Sequence, residues 1–598
     1  MLDPNDRSLL TNALTPPPGM VFDRGLVTTY SLDLLALLTV PLHLTWLAGG
    51  ADAALLSDGV RLLEGMRRVG ERLAVFADYG RLQAPSQALP LYALLESCLV
   101  EVRAPNGGAF HPKLWLLRFA PAEGDGAALL RLLVLSRNLT YDRSWDLALQ
   151  LEGQPGNQAI KANQALGQLL ADLPTFAVRP ADAERTAIAR QLAEEFGRTR
   201  FEPPKPWEAP VKFHVLGRSR KSWLPPTSNE LAVISPFLGA EALRALAKTA
   251  DTPLALVSRP DQLAALDGKI RGLFQRCFVL EERAETEDGE EVDASRLSGL
   301  HAKALLLRSA WNTHLFVGSA NATDAALWGS NIEVIAELSG RYSKVGKVEA
   351  LLDADDFGEL LAEFNPDTPQ ASIDPAQAEA EQALEDAHKA LLAAALRLQC
   401  ETDGKGTWRL LLHAGQPVKL PAAEILGWPL SLREERANNL AALAAGGPVE
   451  LAAGLACADL TGFAGFKLSC AGLTHRFALN LPVAGLPAER EAAILRRVVN
   501  KRDGFLRYLR LLLADMAGQD AALGFGGDGG AAVVWGAGIG GGSEALLEDL
   551  VRAFARDRDK LKSVRQVVEK LRGAEEDVVP AEFLAVWDVF QTALEEAP

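Results

Sequence analysis

Short apolar runs alternate with stretches of helical period through the first 350 residues, which is the pattern of an α/β architecture. GLVTTYSLDLLALL (25–38) predicts a strand running into a helix. RLAVFADYG (72–80) predicts a second strand, and CLVEVRAPNGG (98–108) a strand closed by a turn. FHPKLWLLRF (110–119), ALLRLLVLSRN (128–138) and WDLALQLEG (145–153) predict three more. A comparable order then returns in ELAVISPFLGAEALRALAK (230–248), PLALVSR (253–259), CFVLEE (277–282), LHAKALLLR (300–308), HLFVGSAN (314–321) and NIEVIAEL (331–338). The chain therefore holds an internal duplication offset by about 190 residues, carried by pattern more than by identity.

Between the two copies, 181–198 predicts a helix and the Pro-rich EPPKPWEAP (202–210) a stiff linker. A second linker, NPDTPQASIDP (365–375), precedes an Ala-rich helix expected over 376–400. Alternating runs such as TWRLLLHAG and THRFALNLPV predict a small β-rich domain over 407–490. A helix rich in Arg and Lys (488–516), a Gly-rich loop (524–542) and a helical tail (543–597) complete the chain. The Gly-rich stretch lacks the G-K-[ST] ending of a phosphate loop. The expected units are 1–180, the connector 181–210, 211–364, the linker and helix 365–405, 406–520 and 521–598.

Length and charge narrow this picture only a little. At roughly 100–200 residues per domain, 598 residues give about three to five compact units. Basic residues number 61 and acidic ones 77, a net −16 that excludes a protein coating nucleic acid through bulk charge. It leaves room for a local basic cleft. Five cysteines lie far apart with no C-x-x-C pair, which argues against a zinc ribbon or disulfide framework and for a reducing cytoplasm. MLDPNDRSLL has two aspartates before any apolar run and is not read as a signal peptide. The apolar stretch from Leu32 to Ala48 contains Asp33, Pro41 and His43, so it is read as a buried β/α segment and not a membrane span.

The chemistry lies in a repeated constellation. His111-Pro112-Lys113 and His301-Ala302-Lys303 occupy matching places in the two copies, and each is followed by a strand and a Ser-x-Asn. These are Ser136-Arg137-Asn138 and Ser319-Ala320-Asn321. A polar insert, PAEGDG (121–126), accounts for the longer spacing in the first copy. On a strand, residues i and i+2 share a face, so each His and its Lys are expected on one surface. Two such patches brought together suit a phosphodiester. Lysines and asparagines neutralise and hydrogen-bond its non-bridging oxygens, while one histidine attacks phosphorus and the other protonates the leaving oxygen. A single H-x-K is uninformative, and the other histidines (His43, His214, His314, His388, His413, His475) have no such pattern and are read as structural, with His314 the one placed near the second motif.

The doubled His-x-Lys…Ser-x-Asn resembles the phospholipase D superfamily, and LFVGSANATDAALWGSNIEV (315–334) is similar to its Gly-Ser-x-Asn signature. The resemblance covers roughly residues 25–345. It implies two α/β halves sharing one active site as a pseudo-dimeric core, a phosphohistidine intermediate, and no metal or other cofactor. By the same resemblance His111 is the nucleophile and His301 the general acid. Lys113, Lys303, Asn138 and Asn321 become phosphate ligands, with Ser136 and Ser319 in support. Asp146 and Glu333 stand where the family often places an acidic partner for a histidine. The lipid-hydrolysing branch carries an aspartate seven residues after each histidine, whereas this chain has Arg118 and Arg308. That departure is similar to the tyrosyl-DNA phosphodiesterases and some nucleases, and favours nucleic acid, DNA first, over phospholipid. The first copy also has Leu135 where the signature has Gly. Bacterial proteins of this kind accompany helicases in defence against foreign DNA, so the resemblance names a helicase or other defence-system protein as a partner.

Further cations are candidates for the nucleic-acid backbone. They are Arg218, Arg220 and Lys221 in RSRKSW (218–223), and Arg497, Lys501 and Arg502 in the basic helix RRVVNKRDGFLRYLR (496–510), where Phe505 and Tyr508 are interleaved. A solvated helix face is the plainer reading of the latter. Two rival functions stand beside the nuclease. One is a phospholipase or transphosphatidylase, which would bind vesicles, although no strongly amphipathic membrane helix is evident. The other is a silent catalytic pair used as a nucleic-acid- or partner-binding module.

Overall fold

The computed structural model describes residues 10–45, 58–141, 143–219, 222–281, 298–352, 357–366, 375–418, 423–513, 547, 550–555, 558–571 and 578–596. The chain is mixed α/β, with several sheets.

Two of the sheets repeat one strand order. The first runs Leu99–Val102, Leu73–Asp78, Met20–Thr29, Leu114–Pro121, Leu129–Leu135, Ala148–Gly153. The second contains Arg276–Leu280, Ala250–Val257, Ser228–Ile234, Ala304–Ser309, Asn312–Gly318, Glu333–Arg341 in the corresponding places. Strand Glu208–Leu216 is added at one edge and Leu361–Glu363 at the other. In both sheets the three leading strands are parallel and the rest antiparallel.

The central strands are buried on both faces, as their continuous apolar runs require, whereas the edge strand Ala148–Gly153 alternates exposed and buried positions. On Leu73–Asp78, Leu73, Val75 and Ala77 enter one core, while Ala74 and Phe76 enter another. On Ala304–Ser309, Ala304 and Leu306 join that second core, whereas Leu305 and Leu307 face a third. The second core is shared by both sheets. It takes Leu116 and Val134 from one, Ile234 and Val317 from the other, and Leu169, Leu192 and Phe196 from the helices Gln164–Asp172 and Ala183–Gly197.

Several predicted boundaries move. Each His-x-Lys lies in an extended segment just before its strand, since the ladders begin at Leu114 and Ala304. The Pro-rich connector is shorter than expected because Glu208 already opens a strand. The Ala-rich helix spans Pro375–Ala393 and stops there, because Ala395 takes a left-handed φ of 48° and the period-2 sequence RLQCET then pairs as a strand. The basic helix is two helices, Arg490–Val498 and Arg502–Leu513, broken where Val499 leaves helical geometry. The Gly-rich stretch 524–542 lies outside the described residues.

The C-terminal region contains a four-stranded and a six-stranded sheet. The six-stranded sheet incorporates two short strands of the first copy, Leu32–Asp33 and Leu82–Gln83, with Leu82 pairing Ala478. Helices Arg490–Val498, Arg502–Leu513, Arg558–Leu571 and Ala581–Glu596 complete the core on the outer side of the first sheet. No helix among the described residues is long and apolar enough to cross a membrane.

Glu64 ties this assembly together. Its side chain is wholly buried in helix Gly59–Val69 and accepts from Arg67 Nε (2.8 Å) and Arg68 Nε (2.6 Å), while Arg68 donates to the Leu511 carbonyl. Glu64→Ala removes the carboxylate partner of the buried Arg68 guanidinium and is expected to cost about 3–5 kcal/mol, read as a lower urea midpoint.

Candidate active site

The two His-x-Lys segments meet across the seam between the copies. A parallel strand pair, Arg143–Trp145 with Ser298–Leu300, leads into one histidine, where His301 N donates to the Trp145 carbonyl at 2.9 Å. At the matching point Phe110 bridges Ile332, and His111 N donates to the Ile332 carbonyl at 3.0 Å. The next residue in each acceptor segment is an acid, Asp146 or Glu333. Each histidine is thereby paired with the carboxylate of the other copy.

His111 Nδ1 lies 2.9 Å from Glu333 Oε2 and 3.1 Å from the Ser319 carbonyl. Two acceptors at one nitrogen place the proton there and leave Nε2 with its lone pair. His301 Nδ1 lies 3.2 Å from Asp146 Oδ1 and adopts the same orientation. The serines of Ser-x-Asn hold the acids. Ser319 Oγ donates to Glu333 Oε2 and accepts Val334 N (3.0 Å), while Ser136 Oγ reaches Asp146 Oδ1 (3.3 Å) and accepts Leu147 N (2.8 Å). Arg137 and Ser144 also contact Asp146. Gly318 fits the signature because a Cβ there would lie 2.1 Å from the Val334 carbonyl oxygen.

Lys113 and Lys303 are 1% and 2% exposed, which is rare for lysine. Each donates to the carbonyl of its own histidine, at 2.9 and 2.7 Å, and Lys303 also to the Ser136 carbonyl at 3.2 Å. The i/i+2 geometry thus holds although neither segment is regular strand. Burial, then the neighbouring Lys303, drives the Lys113 ammonium well below its ordinary value. Burial lowers His111 from 6.5 to about 4, with Lys113 and Lys303 adding to the shift and Glu333 opposing it. His301 is lowered by burial too, against the pull of Asp146. Both rings are therefore neutral near pH 7.

Asn138 and Asn321 sit at matching positions. Asn138 Oδ1 accepts from Ser31 N at 3.4 Å, and the Asn321 Oδ1 is buried without a partner. Three side chains that the motif reading passed over join the His111 side. Tyr30 packs edge-on against the His111 ring with centroids 5.0 Å apart, and Lys113 Nζ lies 5.7 Å from the Tyr30 centroid. Arg81 stacks over Tyr30 at 5.3 Å. Asp78 accepts Phe110 N at 2.9 Å, and burial raises its carboxyl to about 7. The available signal was positional: all three end or follow predicted strands of the parallel part.

Other candidates lie elsewhere. Arg218 pairs with Asp172, while Arg220 and Lys221 lie outside the described residues. Arg497 pairs with Asp459, and it and Arg502 sit on the C-terminal helices packed against Gly59–Val69, with Lys501 in the break between those helices. Phe505 and Tyr508 are 0% and 2% exposed, so they are core and offer no ring face to a base. His314 faces Glu337 together with His214 and Lys212, away from the paired histidines. Arg118 pairs with Asp23 and Glu195, and Arg308 with Glu230, which gives both a structural role.

In an NMR titration His111 is expected to protonate near 4 instead of 6.5. Lys113→Met removes a positive neighbour and should raise that midpoint, whereas Glu333→Gln should lower it further. Among known proteins, no family model and no curated protein matches the chain. Among solved structures it is similar to yeast tyrosyl-DNA phosphodiesterase, at 11% identity over 55% of this chain and 86% of that one, with a TM-score of 0.32. A mutant of the same yeast enzyme aligns at 10% identity over 55% and 84%, with a TM-score of 0.34. Polyphosphate kinase from Porphyromonas gingivalis aligns at 12% identity over 64% and 45%, with a TM-score of 0.29.

Proposed function

We propose that the chain is a phosphodiesterase cleaving nucleic acid, DNA first, through a covalent phosphohistidine, with two phospholipase D-like halves (1–180 and 211–364) forming one pseudo-dimeric core. The observation that carries this reading is the pair of buried ammonium groups, Lys113 and Lys303, set between two crosswise histidine–carboxylate pairs. Two like charges held out of water repel one another, and an anion between them relieves that repulsion. Lys113 is acted on by Lys303 and, in the opposite sense, by Glu333, Asp146 and Asp78, while both histidines are neutral. A bound phosphodiester adds one negative charge, which favours protonating one histidine and so charges the general acid on substrate binding.

In this mechanism the His111 Nε2 lone pair attacks phosphorus. The P–O bond to the leaving group breaks, and the departing oxygen takes a proton from His301. Glu333 stabilises the positive charge that His111 acquires, as a buried carboxylate does for an attacking imidazole. Water, giving its proton to His301, then attacks phosphorus and the P–N bond breaks. Lys113, Lys303 and the two asparagines hold the non-bridging oxygens throughout. Charge is neutralised by side chains, so the reading requires no metal ion, and a reducing cytoplasm suits the five free thiols.

The test is cleavage of single- and double-stranded DNA and RNA in excess chelator. Activity is expected to persist there, to fall by at least about 10³-fold in His111→Ala, and to leave a ³²P label on His111 under acid-free quench. No cleavage by folded protein sinks the reading. Binding that survives His111→Ala/His301→Ala without turnover in the parent points to a binding module, and headgroup release from vesicles to a lipase. Because His111 stays neutral down to about pH 4, the acid limb of kcat/KM should not begin near 6.5 on account of the nucleophile.

A further inference from the structure

The two copies match residue for residue just past their first parallel strand. Thr29 Oγ1 accepts Leu139 N (3.1 Å) and donates to the Ser31 carbonyl (2.7 Å). Ser235 Oγ accepts Ala322 N (2.9 Å) and donates to the Phe237 carbonyl (2.7 Å). Leu32 bridges Leu139 as Leu238 bridges Ala322, and Asp33 N and Gly239 N donate to the same two carbonyls. Because Leu139 and Ala322 directly follow Asn138 and Asn321, this turn is fixed beside the asparagine proposed above to hold phosphate in each copy. Ser31 and Phe237 are equivalents.

Their surroundings differ. In the first copy Leu32–Asp33 and Leu82–Gln83 are built into the C-terminal six-stranded sheet, and Ser31 Oγ bonds the Arg81 carbonyl at 3.2 Å. In the second copy the equivalent place carries a phenylalanine that is 41% exposed, with the Arg259 guanidinium 5.6 Å from its ring centroid. An exposed aromatic face, backed by a cation and one residue pair away from Asn321, is what a nucleobase stacks on when its phosphate is held by that asparagine.

We infer that Phe237, backed by Arg259, is a stacking subsite for the base flanking the scissile phosphate, and that the substrate strand leaves the cleft over the second copy because the C-terminal sheet occupies the equivalent rim of the first. This rests on the phosphodiesterase reading and extends it to a substrate that must carry a base on that side. The comparison is thymidine p-nitrophenyl phosphate against methyl p-nitrophenyl phosphate. Phe237→Ala should raise KM for the thymidine ester about 5- to 150-fold, the range of one stacked base, with kcat held within about twofold, and Phe237→Trp should restore it. An equal change on the methyl ester, or no change on the thymidine ester, overturns the inference while leaving the phosphodiesterase reading intact. Affinity for a labelled oligothymidylate is measured separately by fluorescence anisotropy in the His111→Ala background. Unchanged affinity on adding Phe237→Ala also overturns it, even where the parent enzyme shows no turnover.

Discussion

The crosswise pairing of each histidine with the other copy's carboxylate is the constraint on which the rest of the molecule depends. His111–Glu333 and His301–Asp146 form only when the halves are docked in one register. That register is set by backbone hydrogen bonds to the residue before each acid, so a slip of one residue would exchange acid for carbonyl. Neither copy contains a complete pair. The shared core beneath the seam, with Trp145 stacked on Phe357 at 4.5 Å and both sheets contributing apolar faces, therefore holds the site's proton positions as well as the fold.

Charge explains why so much polar chemistry can be buried in an acidic protein. The −16 net charge surrounds a centre in which two ammonium groups face two carboxylates. Each buried charge has an opposite neighbour or a carbonyl, which is the condition under which such burial is tolerated. An acidic exterior repels loose polyanion, and the buried lysines concentrate positive charge at one place. The exposed cations of the C-terminal helices fit this picture, since Arg497 and Arg507 are occupied by Asp459 and Asp58.

Much of this was legible in the chain. Short apolar runs located the six strands of the first sheet and their six counterparts in the second, though not the edge strands Glu208–Leu216 and Leu361–Glu363, and the repeated His-x-Lys with Ser-x-Asn located the residues that meet at the seam. The acids were visible as positions, but their crossing was not, because sequence spacing carries no information on which half a side chain faces. Tyr30, Asp78 and Phe237 were missed for a related reason. Each owes its place to the C-terminal end of a parallel strand, and nothing local distinguishes such a residue from any other strand end. The early helix stop at Ala393 was hidden by good helix formers on both sides, where tertiary packing overrode propensity, whereas the break at Val499 falls among the weaker helix formers Val498, Asn500, Asp503 and Gly504.

The duplication also explains why the two copies diverged. On the proposed function, a symmetric pair of half-sites would accept a phosphodiester in either direction, and both histidines would be equally placed to attack. The C-terminal sheet removes that equivalence by taking Leu32–Asp33 and Leu82–Gln83 into its own ladder. It thereby supports Arg81 and Tyr30 against His111 on one side only. His111 is consequently the less exposed ring, 14% against 25% for His301. That asymmetry agrees with the proposed roles, since a nucleophile benefits from being fixed and desolvated, whereas a group that exchanges protons with a leaving oxygen and then with water needs access. The C-terminal region, which contributes none of the paired groups, is in this way what makes the surroundings of the two histidines unequal.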